Sequence, residues 1–154
     1  MRVISGKLKG RKILGYDISG TRPTMDRVKE SIFSMIQSYV NDSIVLDLFS
    51  GSGNYGIESI SNGATQVYFN DYNIKCVKVI KDNLSTMNVL DYGIITNFDY
   101  KKALNYYHEN NIKFDLVFLD PPYKKHIIND ILDYLIMQIN SKFKRRKSCE
   151  SNKW

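Results

Sequence analysis

After residue 43 the chain alternates four times between short apolar runs and amphipathic stretches, and this alternation limits its possible folds more than any other feature. Ile44-Val45-Leu46-Asp47-Leu48-Phe49, Val67-Tyr68-Phe69-Asn70, Ile94-Ile95-Thr96 and Asp115-Leu116-Val117-Phe118-Leu119 read as buried strands. Between them, one helix runs to about Asn62 and stops at Gly63, and another starts at a capping Asn73. The apolar face of the latter uses Ile74, Val77, Ile80, Leu84 and Met87. A third helix covers roughly Lys101 to Glu109, and a last one carries Ile128, Ile131, Leu132, Leu135, Ile136 and Ile139. The pattern predicts an α/β, doubly wound sheet of parallel strands. Upstream, Arg2-Val3-Ile4-Ser5 and Arg11-Lys12-Ile13-Leu14 flank a glycine-bounded turn and predict a hairpin with outward Lys and Arg side chains. Thr24 reads as the N-cap of a helix to about Tyr39, with Val28, Ile32, Ile36 and Val40 recurring every fourth residue, Met35 beside them and Phe33 widening the face.

With 154 residues, 43% hydrophobic and 25% charged, the composition is that of one ordinary globular domain. No apolar run is long enough to span a bilayer and the N-terminus has no signal-peptide core, so a cytoplasmic location without a membrane partner is expected. Cys76 and Cys149 lie far apart and match no metal spacing, so they read as reduced thiols and no metal is expected. His108 and His126 are isolated. The net charge of +6 is unevenly placed: residues 1–30 and 142–154 are each +5, and residues 31–141 are −4. A basic end on an acidic core suits a polyanion held apart from the chemistry. Lys7, Lys9, Arg11 and Lys12 of the hairpin are the candidate contacts. The plainer alternative is a solvated terminus.

Chemistry concentrates at two strand ends. In Asp120-Pro121-Pro122-Tyr123 the prolines end the strand and stiffen the turn. A carboxylate, backbone carbonyls and a ring are thereby held where open α/β sheets bind ligands. The combination suits a flat substrate bearing an amino group. An ordinary turn with Tyr123 in the core is the competing reading. In the first βα turn, Ser50-Gly51-Ser52-Gly53-Asn54-Tyr55-Gly56 lets backbone approach a ligand. Asp71 ends the next strand, where a carboxylate binds ribose hydroxyls. The glycine spacing also fits a dinucleotide fingerprint, but Asp47 at the strand end would repel a pyrophosphate. A cationic cofactor suits it better, which favours S-adenosylmethionine over NAD. Asp47, Asp71 and Asp99 could each be a simple turn residue; three at successive strand ends weigh against that.

Asp47-Leu48-Phe49-Ser50-Gly51-Ser52-Gly53 resembles motif I of S-adenosylmethionine-dependent methyltransferases, and Asp120-Pro121-Pro122-Tyr123 resembles their motif IV for exocyclic amines. The most specific segment is Thr21-Arg22-Pro23-Thr24-Met25-Asp26-Arg27-Val28-Lys29-Glu30-Ser31-Ile32-Phe33, which resembles the corresponding block of the RsmD family. Those proteins are bacterial methyltransferases of a guanine N2 amine in 16S ribosomal RNA. The opening Met1 to Lys12 is similar to that family's hairpin, and the resemblance extends to about residue 140.

The resemblance implies a Rossmann-like methyltransferase sheet with helices on both faces, a hairpin over residues 1–20 and a cofactor-binding core over 21–140. It implies S-adenosyl-L-methionine as cofactor, with Asp47, Ser50, Gly51 and Gly53 along its methionine part, Asp71 on the ribose, and Phe98 and Asp99 at the adenine. Asp120 and the Pro121 carbonyl would accept hydrogen bonds from the guanine amine, with Pro122 stiffening the loop and Tyr123 stacking on the base. Arg22, Thr24, Asp26 and Arg27 would lie over the cofactor or the RNA. The partner implied is 16S ribosomal RNA or the assembling small subunit. Family members continue with further strands, whereas residues 141–154 are basic and aperiodic. The expectation is therefore a sheet missing its C-terminal strands, an exposed Asp115–Leu119 edge, and a shortened, frame-shifted or divergent tail. The alternatives are an adenine-N6 DNA or glutamine-N5 protein methyltransferase, or a noncatalytic RNA-binding module.

Overall fold

The four apolar runs form one parallel sheet: β1 (Ile44–Asp47), β2 (Gln66–Asn70), β3 (Gly93–Thr96) and β4 (Leu116–Phe118), in the order β3-β2-β1-β4. The structure, a computed structural model, describes residues 1–15, 23–121 and 127–135, with backbone alone at 23–25. Val45 pairs with Val67 on one side and with Leu116 on the other. The chain thus moves outward through β2 and β3 and then returns to the far side of β1. The order reverses between β1 and β4, and in such sheets the crevice at the carboxyl ends of those strands receives ligands.

Alternation along the strands decides which side chains meet which helices. Val45, Val67 and Phe69 join one core with Phe33, Val40, Ile57, Ile60, Ile80 and Leu84. These come from α1 (Pro23–Val40), α2 (Asn54–Ser61) and α3 (Ile74–Thr86). Tyr68 points to the opposite face, edge-on to Tyr107 of α4 (Tyr100–Glu109) and to Phe114. Both faces of the sheet are therefore covered. Asp47, two residues on from Val45, lies on the α2 face.

Several local expectations shift. β1 ends at Asp47 and β4 at Phe118, each shorter than its apolar run. Helix α1 begins at Pro23, so Thr24 lies inside its first turn; proline suits that first position because its missing N–H has no partner there anyway. The buried stripe of α1 is Lys29, Phe33 and Val40, while Val28 is 49% and Met35 72% exposed. The hairpin pairs antiparallel through Val3 N–H to Arg11 C=O and Gly10 N–H to Val3 C=O, with a 3-10 turn over Gly6–Leu8. Among the described residues its one β-bridge is Arg2 to Lys12, and no hairpin residue among them joins the four-stranded sheet. Val3, Leu8 and Ile13 anchor it in the core.

Met1–Asp120 and Pro121–Trp154 form two compact units. In the second, residues 127–135 form helix α5, with Ile131 buried and Ile128 and Leu132 exposed. Ile136, Ile139 and the tail at 141–154 lie outside the described residues. Among the described residues, β4 is one edge of the sheet, its three residues half-buried, and no helix is long and apolar enough to cross a membrane.

Candidate active site at the strand ends

Asp47 ends β1 and is 2% exposed. Among the described residues, the one hydrogen bond shown to its carboxylate comes from the Gly56 N–H, 3.1 Å from Oδ2. Burial pushes its pKa up to about 7; the Gly56 bond opposes the shift, and the charges of Asp120 and Asp71 add to it. Three acids from the ends of β1, β2 and β4 therefore share one electrostatic neighbourhood. Asp120 is exposed and closes the first unit.

The turn after β1 is shaped by its glycines. Gly51 has φ of +55°, and a Cβ there would meet nothing within 4 Å, so its backbone faces open space. Gly56 serves packing instead: a Cβ would fall 2.1 Å from the Phe69 ring. Asp71 holds this turn, its Oδ2 accepting from the Gly51 N–H at 2.8 Å and its Oδ1 from the Asn73 N–H at 2.8 Å. Ser50 is buried, its hydroxyl donating to the Asp47 C=O at 2.6 Å, and its N–H donates to the Asn70 C=O.

Asn70 is a positioning residue that the sequence pattern did not single out. Buried at the end of β2, its amide donates to the carbonyls of Leu48 and Phe98, and its Oδ1 accepts from the Phe98 N–H and the Thr96 hydroxyl. One side chain thereby ties the loops after β1 and β3 together. A polar residue closing the apolar run Val67-Tyr68-Phe69 was the available signal. Tyr55 is a second such residue. Its ring stacks on Phe118 at 5.2 Å, and Phe118 stacks on Phe33 at 5.7 Å, so α1, β4 and α2 are joined by aromatic faces. Burial raises the Tyr55 pKa, with Asp120 and Asp47 adding to the shift.

The remaining expected site residues are placed as follows. Asp99 is exposed and caps α4, its Oδ1 accepting from the Lys101 and Lys102 N–H groups. Phe98 is half-buried, with the Lys102 ammonium 4.6 Å from its ring centroid and the Tyr106 ring at 5.5 Å. Gly53 caps α2 with φ of +81°. Arg22, Pro122 and Tyr123, and the side chain of Thr24, lie outside the described residues, and Pro121 opens the second unit. All four hairpin cations are exposed as expected, but two also engage the body of the protein. Lys7 lies 4.0 Å over the Tyr92 ring, and Arg11 donates to the Thr86 C=O at 2.7 Å. Among the described residues no group of three or more His, Cys, Asp or Glu could hold a metal ion.

A candidate rRNA methyltransferase of Bacillus subtilis, YlbH, is 41% identical over 132 residues, covering 86% of this chain and 72% of that protein. Ribosomal RNA small subunit methyltransferase D of Haemophilus influenzae is 34% identical over 139 residues, covering 88% of this chain and 70% of that protein. The crystal structure of a candidate methylase of Haemophilus influenzae, HI0767, superposes with a TM-score of 0.68 at 28% identity, covering 89% of this chain and 73% of that one. The family model described as conserved hypothetical protein 95 matches residues 1–142. The chain belongs to this family, the RsmD family that its motifs resemble.

Proposed function

We propose that the chain is an S-adenosylmethionine-dependent methyltransferase acting on the exocyclic N2 amine of a guanine in small-subunit ribosomal RNA. The observation that carries this reading is Asp47: a buried carboxylate with little hydrogen bonding, at the point where the strand order reverses, beside Asp120. The names of the relatives support the reaction class and the RNA substrate.

The residues fit the cofactor. A desolvated carboxylate near Asp71 and Asp120 favours a ligand that brings positive charge, and the open backbone at Gly51 leaves room for close approach. Asp71 keeps acceptor capacity for ribose hydroxyls beyond the Gly51 and Asn73 N–H groups and the Cys76 thiol that it already engages. When bound, S-adenosylmethionine supplies a methyl group activated on a sulfonium. Asp47 and the Gly51–Gly53 turn hold its methionine part, and Phe98 and Asp99 border the adenine.

Guanine's amine is a poor nucleophile because its lone pair is delocalised into the ring. Asp120, aided by the Pro121 carbonyl, accepts hydrogen bonds from this amine and stabilises the positive charge that develops on nitrogen. The family resemblance assigns Tyr123, which lies outside the described residues, to stacking on the base. Catalysis is positioning plus preorganised electrostatics. The base must leave its stack or lie in an open loop. A cytoplasmic site of action on 16S ribosomal RNA or the assembling small subunit follows from that substrate.

The test is nucleoside mass spectrometry after incubation with small-subunit RNA and labelled cofactor. The expected product is N2-methylguanosine. Asp120→Ala should lower turnover about 10²–10³-fold, by analogy with the loss of one transition-state hydrogen-bonding group, while cofactor binding persists. Label on adenine, or wild-type turnover in the variant, contradicts the assignment.

A further inference from the structure

A second candidate site lies between the hairpin and α1. Arg2, Lys9 and Gly10 form one wall of a cleft of about 400 Å³, and Asp26, Arg27 and Glu30 form the other. Its size falls in the range of small-ligand pockets. Gly10, with φ of +85°, leaves open space above its backbone. Arg2 Nε stands 3.6 Å from Asp26 Oδ2, with the Arg2 side chain 70% exposed, so this pair is loose and open to exchange.

The walls themselves are fixed. Lys29 on α1 donates to the Arg2 C=O at 2.8 Å and to Asn54 Oδ1 at 2.7 Å, and pairs with Glu58 at 2.9 Å. The Glu58 carboxylate accepts from the N–H groups of Ile4 and Ser5 and from the Ser5 hydroxyl. One buried network therefore holds the hairpin wall of the cleft and the first residue of α2, next to the Gly51–Gly53 turn.

The charges in the cleft are mixed: Arg2 and Lys9 on the hairpin wall, and Arg27 between Asp26 and Glu30 on the α1 wall. A groove that only tracked phosphates would gain nothing from the acids. Carboxylates beside cations suit a ligand with a phosphate at one end and N–H or O–H donors at the other. A nucleotide of single-stranded RNA has that chemistry, with its base edge exposed and a 2′-hydroxyl to donate. Lys7 and Arg11 are engaged with Tyr92 and Thr86, and the hairpin cations that line this cleft are Arg2 and Lys9.

We propose that the cleft between the hairpin and α1 binds one nucleotide of a single-stranded RNA segment, its phosphate on Lys9 and Arg27 and its base edge or ribose on Glu30. This rests on the reading of the chain as an RNA methyltransferase. The test is fluorescence anisotropy of the full chain with a short guanine-containing single-stranded RNA across a salt series, with calorimetric cofactor binding as the check of folding. Lys9→Ala with Arg27→Ala should weaken RNA binding roughly tenfold or more and flatten the salt slope by about 0.7 per lost phosphate contact. Lys7→Ala with Arg11→Ala should cost less. Glu30→Ala is the discriminating variant: loss of a nucleotide contact weakens binding, whereas mere removal of a repulsive charge strengthens it. Stronger binding by Glu30→Ala, or an unchanged slope in the Lys9/Arg27 variant, overturns the cleft while leaving RNA binding by the wild type intact. Absence of RNA binding by a wild-type chain that binds cofactor overturns both the cleft and the RNA reading.

Discussion

Two buried carboxylates, Glu58 on α2 and Asp47 against the first turn of that helix, are treated in opposite ways. Glu58 is fully buried, paired with Lys29 and bonded to the hairpin backbone. Asp47 is 2% exposed, yet it has the Gly56 N–H where Glu58 has a whole set of donors, and two further acids nearby. Burying a charge is costly unless it is paired and hydrogen-bonded. Glu58 meets that condition within the protein. Asp47 does not meet it within the described residues: its pKa rises to about 7, and on the proposed reading a cationic ligand would supply the missing partner. The first carboxylate registers the hairpin against the core, and the proposed function makes the second a receptor for the cofactor.

Breaking the satisfied carboxylate should have the larger effect. Glu58→Gln leaves the Lys29 ammonium buried without its counter-charge, and removing one partner of a buried pair costs about 3–5 kcal/mol. Denaturant unfolding should show a strongly lowered midpoint. A change below about 1 kcal/mol, within the range of an exposed pair, would mean that the network contributes little to holding the hairpin.

Relieving the unsatisfied carboxylate should do the reverse, by a smaller amount. The folded pKa of Asp47, about 7, lies above the ordinary value of 3.8, so between these values the native chain binds more protons than the unfolded one. Stability from this group is present at low pH and is lost as pH rises toward 7. Asp47→Asn removes that loss while keeping an acceptor for Gly56. At pH 8 it should stabilise the fold by an amount on the order of 1 kcal/mol or more, since each pKa unit corresponds to about 1.4 kcal/mol. Thermal melts at pH 5 and pH 8 check this; equal effects at both would contradict it. The same variant should bind S-adenosylmethionine more than tenfold more weakly, which is the signature of strain kept for function.

The difference between the two regions also explains what was legible in the sequence. The strand–helix alternation and the strand-end acids were readable because apolar runs, glycines and prolines act locally. Asp47, Gly51 and Asp71 do meet at one place, through the Gly51 N–H and the shared charge. The Lys29–Glu58 pair was hidden, because a lysine in an amphipathic helix ordinarily reads as solvated, and its partner lies on another element. That pair moved the buried face of α1 by one position, from Val28 to Lys29. Asp99 was expected at the adenine, and its Oδ1 is engaged in capping α4, a role that its place before a helix also signals. Asn70 escaped notice because a polar residue at a strand end carries no motif; its meaning comes from the loops after β1 and β3 converging on it.

The most direct test of the Asp47 account is calorimetric titration of S-adenosylmethionine into the chain near pH 6.5, in two buffers of different ionisation enthalpy. Burial raises the Asp47 pKa to about 7, so near that pH the carboxyl holds a proton to expel. An incoming ammonium favours the ionised carboxylate and should expel the proton. The account predicts net proton release on binding by the wild type, and neither release nor tight binding by Asp47→Asn. Binding of equal strength in both proteins, with no proton released by either, would contradict it.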